Sequence, residues 1–138
     1  AQQAAVIKKM VCDLDLNTII IISPTIREKG GLALSSRNVY LTPEQRADAS
    51  NLYKALQFAK SEILLGSSNK DIAQLKEQMS ELIMSGASAT KIDYISFNDN
   101  ATLKELNTLK NIEKSDILIS LAVRFGNVRL IDNIVIKR

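Results

Sequence analysis

Residues 117–136 read ILISLAVRFGNVRLIDNIVI, and this stretch decides the fold. Ile117-Leu118-Ile119-Ser120-Leu121-Ala122-Val123 is a strand-like apolar run, and residues 130–136 return as a second strand. Phe125-Gly126-Asn127-Val128 between them places a glycine and an asparagine where a two-residue hairpin turn needs backbone freedom. Upstream, Ile92-Asp93-Tyr94-Ile95-Ser96-Phe97 predicts a third strand, and Asn98-Asp99-Asn100 turns the chain out of it. Residues 102–109 carry Leu103, Leu106 and Leu109, which fits a single helical turn and a bend.

Two helices precede these strands. Thr42-Pro43-Glu44-Gln45 is a helix start: Thr as N-cap, Pro at the first helical position, an acid in the first turn and Gln placed to complete a capping box. Leu52, Tyr53, Leu56, Ala59 and Ile63 keep helical spacing to Leu65, where Gly66 ends it. Ser67-Ser68-Asn69 connects to a second amphipathic helix capped by Ser68 or Asn69. That helix turns Ile72, Leu75, Met79, Leu82 and Ile83 inward and closes at Gly86. Residues 43–138 therefore predict a small α+β domain, two helices on one face of a three-stranded antiparallel sheet.

Residues 1–42 read differently. Ile7, Met10, Val11 and Leu14 form one helical stripe over residues 2–14, with Cys12 beside it as a small packing residue. Thr18-Ile19-Ile20-Ile21-Ile22 lacks polar alternation, which suits a strand buried on both faces of a parallel sheet. Such a strand needs neighbours for its backbone groups, and no second unit of this kind follows. This part is expected to be an α/β remnant, and the chain a fragment.

Bulk properties narrow the function. The 138 residues carry a net charge of +3, one cysteine and no histidine. A His general base, a Ser-His-Asp triad and a His-ligated metal from this chain are excluded, and Cys12 has no internal disulfide partner. The cations are spread along the chain, unlike the clustered basic face of a nucleic-acid binder. No apolar run approaches the ~20 residues of a membrane helix. A cytoplasmic protein is expected.

Between the two parts lies PTIREKGGLALSSRNVYL, residues 24–41. Gly30-Gly31 permits positive φ and close backbone approach. Ser35 and Ser36 can donate hydroxyls to phosphate oxygens, and Arg37 can grip them with two parallel bonds. A loop after a parallel strand also sits where open α/β sheets bind ligands. It is not a Walker loop, since no Gly-Lys-Ser/Thr follows a spaced glycine. By composition alone a polar surface loop with an Arg ion pair remains the other reading.

Residues 27–38, REKGGLALSSRN, strongly resemble the R-E-x-D-G-L-A-M/L-S-S-R-N signature of the pantothenate synthetase (pantoate–β-alanine ligase) family. Gln2-Gln3, Tyr40-Leu41-Thr42 and Arg129-Leu130-Ile131-Asp132-Asn133 match in the right order. The resemblance spans essentially the whole chain, as the C-terminal portion of that enzyme. It implies part of an ATP-dependent, nucleotidylyl-transferase-like ligase that joins pantoate to β-alanine through a pantoyl adenylate, releasing pyrophosphate and AMP, with Mg²⁺ accompanying ATP.

Carried over, Leu34, Ser35, Ser36 and Arg37 resemble the phosphate-binding loop, the counterpart of the KMSKS loop of class I aminoacyl-tRNA synthetases. Ile26 matches an apolar position whose main chain meets adenine, and Gln3 one that binds pantoate. Arg27 and Asn38 are expected to shape the loop, and Arg129 and Asp132 to pair within the small domain. No catalytic or metal-binding residue is assigned to this chain.

The resemblance also implies a nucleotide-binding domain ending at residue 42, with the phosphate loop inside it. The parent enzyme is expected to be a homodimer and the chain to self-associate. The family's His-x-Gly-His motif and Gly-Glu-Lys-Asp loop are absent, Gly30 replaces an Asp, and Ala1 stands where an aromatic is usual. The chain alone is therefore expected to be inactive. The competing reading is a non-catalytic α+β binding or interaction module with weak nucleotide affinity.

Overall fold

The structure is a computed structural model that describes residues 1–65, 71–109 and 115–137. Three α-helices, α1 (Gln2–Asp13), α2 (Pro43–Leu64) and α3 (Ile72–Met84), accompany three strands, β1 (Lys91–Asp99), β2 (Ile117–Phe125) and β3 (Val128–Ile136). A short 3-10 helix, Ser36–Tyr40, precedes α2. The strands form one antiparallel meander in the order β1-β2-β3.

The hairpin that decides the fold closes as its sequence requires. Gly126 takes a φ of 59° at the first turn position, and Phe125 faces Val128 across the turn. β2 is the central strand, and its burial shows no alternation. Leu118 and Ala122 on one face are as fully buried as Ile119 and Leu121 on the other. β3, at the edge, alternates instead: Leu130 and Asp132 are buried while Arg129 and Ile131 face outward.

Both helices pack on one face of the sheet. Leu52, Leu56 and Ala59 of α2 and Leu75, Met79 and Ile83 of α3 meet Phe97, Ile119 and Leu121 in a single aliphatic core. The start of α2 carries the full capping box: Thr42 Oγ1 accepts from the Gln45 amide at 3.2 Å and Gln45 Oε1 accepts from the Thr42 amide at 3.1 Å.

Several expectations need correction. Residues 18–22 form no strand: they pair with nothing among the described residues, and Ile19 and Ile21 are 88% and 85% exposed. A β conformation is stabilised by its ladder, and no strand among the described residues lies beside this segment to supply one. Residues 1–22 thus consist of α1 and a segment outside any sheet. α1 has no buried residue; Ile7, Met10 and Leu14 of its stripe are exposed, and so is Cys12.

On α3, Leu82 is 38% exposed beside fully buried Ile83. The N-cap of α3 is Asp71, whose carboxylate accepts from the Ala73 amide. Gly66, Ser67, Ser68 and Asn69 lie outside the described residues. After β1 the chain makes a turn rather than a helical one: Asp99 Oδ1 accepts from the Ala101 and Thr102 amides, and Asn98 bridges back to Glu105.

Candidate functional site

Residues 26–34 fold back on themselves as a small antiparallel loop. The Leu34 amide donates to Ile26 O at 2.9 Å, the Glu28 amide to Leu32 O at 2.8 Å, and the Gly31 amide to Glu28 O at 2.8 Å. Of the two adjacent glycines only Gly31 uses its freedom, with a φ of 89°. A Cβ there would stand 2.5 Å from the ring of Tyr53. Glycine is therefore required twice at this position, by its dihedral and by its contact.

Charged groups fix this loop to α2 and β3. Glu28 accepts from Arg46 through both carboxylate oxygens, at 3.0 and 2.7 Å, and from Asn38 Nδ2 at 2.9 Å. The bonds from Arg46 and then Asn38 hold the Glu28 carboxyl below its ordinary pKa. Asn38 is buried and also donates to Ala33 O, which ties the 3-10 helix to the loop. Arg27 and Asn38 are thus loop-shaping residues by their contacts.

The expected pair between Arg129 and Asp132 does not form. Asp132 accepts two bonds from Arg27, at 2.6 and 2.9 Å, and Arg129 donates to Asp93 at 2.6 Å. The reason is the period of a strand: positions 129 and 132 lie an odd number of residues apart and point to opposite faces. Asp93 reaches Arg129 and Arg124 together because the β1–β2 register slips between Ile92 and Tyr94, where Asp93 is the extra residue. These two arginines, Arg129 first, lower the Asp93 pKa.

A pocket of about 230 Å³ opens between the loop and β3. Leu34, Ser35, Arg37 and Asn38 line one side, and Arg129, Ile131 and Asp132 the other. Ser35 is the N-cap of the 3-10 helix: its Oγ accepts from the Arg37 amide at 3.2 Å, which leaves its O–H free to donate outward. Arg37 is exposed, and its guanidinium has no partner among the described residues. A hydroxyl donor and an unpaired cation at one pocket are suited to phosphate oxygens.

The structure brings Leu34, Ser35 and Arg37 together at this pocket. Ser36 is exposed in the first turn of the 3-10 helix, and Ile26 is 71% exposed with its carbonyl engaged by Leu34. Gln3 is not brought in: it is exposed on α1 and does not line the pocket. Arg129 was missed as a pocket residue. Its signal was present in the alternation of β3, which sets it outward beside Ile131 while Leu130 enters the core.

The family model described as pantoate-beta-alanine ligase matches residues 1–135. A pantothenate synthetase of Caldicellulosiruptor bescii is 47% identical over 137 residues, covering 99% of this chain and 46% of that protein. One from Syntrophomonas wolfei is 45% identical over the same length and shares. A crystal structure of pantothenate synthetase from Thermus thermophilus superposes with a TM-score of 0.79 at 34% identity, over 96% of this chain and 45% of the other. The ligase from Francisella tularensis, whose crystal structure is complexed with beta-gamma ATP and beta-alanine, gives 0.54 at 33% identity over 96% of this chain and 39% of the other. The chain thus spans about half the length of the relatives that it matches.

Proposed function

The chain belongs to the pantoate–β-alanine ligase family, and from that premise we propose that it supplies one wall of an ATP site. The reaction is formation of pantothenate: the carboxylate of pantoate attacks the α-phosphorus of ATP, pyrophosphate leaves, and the amine of β-alanine then displaces AMP from the acyl adenylate. The observation that carries this reading is Arg37, which lines the pocket with Ser35 and whose guanidinium has no partner among the described residues.

In this reading Ser35 and Arg37 hold triphosphate oxygens and Ser36 adds a hydroxyl at the same edge. Leu34 and Ile26 meet the nucleotide through their main chains, and Gln3 binds pantoate from α1. The protein's contribution is charge neutralisation and alignment of the carboxylate, without a covalent intermediate on the chain. The Francisella complex supports the use of ATP. In this reading Mg²⁺ accompanies the nucleotide as part of the substrate.

The test uses the complete protein that carries this chain. Pyrophosphate should form from ATP only when pantoate is present, and Arg37→Ala should lower kcat by about 100-fold or more. Pantoate-independent turnover, or an Arg37→Ala variant of full activity, would overturn the proposal.

One observation favours a second reading, a non-catalytic binding module. Residues 24–137 carry the pocket and the core, while no hydrogen bond or ion pair among the described residues joins them to residues 1–23. Calorimetry of this 138-residue chain with Mg-ATP separates the two. Millimolar or undetectable binding without turnover fits one wall of a larger site, and micromolar binding would overturn that picture. No described helix is long and apolar enough to cross a membrane, and a cytoplasmic setting belongs to the ligase proposal.

A further inference from the structure

Arg27 stands in the twelve-residue motif but does not line the pocket. Its side chain is 16% exposed, and both terminal nitrogens are occupied. Nη1 donates to Asp132 Oδ2 at 2.6 Å and to Gly31 O at 3.0 Å; Nη2 donates to Asp132 Oδ1 at 2.9 Å. The guanidinium also lies over the Tyr53 ring, 3.9 Å from its centroid. Asp132 sits 4% exposed on the core-facing side of β3, where a carboxylate requires a partner.

We infer that Arg27 is a positioning residue, which acts through Asp132 and Tyr53 to set where Ser35 and Arg37 stand relative to the small domain. The guanidinium joins three elements: the loop through Gly31 O, β3 through Asp132, and α2 through Tyr53. Gly31 is pressed on the same ring, so the loop is fixed against α2 and β3 on adjacent sides. A planar fork with five donors makes such a junction; a lysine ammonium cannot reproduce its two parallel bonds. The catalytic consequence rests on the proposed phosphate role of Ser35 and Arg37. The clamp itself does not.

Arg27→Met alone strands a buried carboxylate and can unfold the domain. The informative variant is Arg27→Met with Asp132→Leu, which removes both charges and retains an apolar contact. In this chain, hydrogen exchange should quicken at least about tenfold at the Gly31 and Leu34 amides while Ile119 and Leu121 in β2 stay protected as before. Arg27→Lys should fall between that variant and the unaltered chain. In the complete protein the double variant should lower kcat/KM for ATP by about 100-fold, the effect of a small misplacement.

Unchanged exchange at Leu34 in the double variant would overturn the inference, as would exchange that quickens equally in β2. The exchange result decides the clamp without reference to activity. A complete protein with no ATP-dependent turnover would count against the ligase proposal alone.

Discussion

Residues 1–23 and the small domain are both apolar, and their apolar residues meet opposite fates. Ile117, Ile119 and Leu121 are fully buried, whereas Ile19 is 88% and Ile21 85% exposed. Strand propensity is strong in both runs. The difference is that β2 has a neighbour on each side and two helices over one face, and residues 18–22 have neither among the described residues. An apolar run is an offer of a strand, accepted only where ladder partners and a covering layer exist.

The largest test of that contrast is Phe97→Ala. Phe97 of β1 is fully buried in the core, and its loss should cost about 3–5 kcal/mol, read from urea unfolding. A cost under about 1 kcal/mol would place the core elsewhere. Next comes Gly31→Ala, where the loop meets Tyr53 of α2. The positive φ and the Tyr53 ring together should make it cost about 1–3 kcal/mol, seen as a lower denaturation midpoint. A neutral result would mean that the loop does not rest on α2. Thr42→Ala removes one arm of the capping box and should cost about 1 kcal/mol in the same measurement.

Acid should act on the small domain through Asp93. The bonds from Arg129 and then Arg124 lower its folded pKa below the unfolded value. Its stabilisation is therefore full above the unfolded pKa and is lost as pH falls through the folded one. Asp93→Asn should unfold more easily than the parent at neutral pH, and the gap should narrow on acidification below the ordinary carboxylate range. Urea midpoints that keep a constant gap across that range would contradict the assignment. Smallest is Ile19→Ala, expected to change stability by under about 0.5 kcal/mol because the side chain is exposed. The exposed run should act between molecules instead: sedimentation should show self-association of this chain, reduced by Ile19→Lys with Ile21→Lys. A monomer before substitution would refute this.

The small domain was legible because its signals are local. The Gly126-Asn127 turn, the Thr42 capping box and the helical stripes of α2 and α3 each depend on residues a few positions apart. The strand expected at residues 18–22 was not realised, because the deciding condition is the presence of neighbours, which local pattern does not contain. For the site, motif order named the loop, and the structure gathers Leu34, Ser35 and Arg37 at one pocket. What sequence spacing could not supply was the partner of each charge. The Arg27–Asp132 pair joins residues 105 positions apart, and the register slip that aims Asp93 at two arginines leaves no mark in the residue types.

That separation also orders the assembly of the molecule. The loop precedes nearly all of the core in the chain, but Asp132 occupies its buried place only once β3 has paired with β2. Local turns can form early, while a contact across such a distance waits for the loop-closure entropy of everything between. The edge of the pocket at Ser35 and Arg37 thus rests on a contact that requires the final hairpin to be in place.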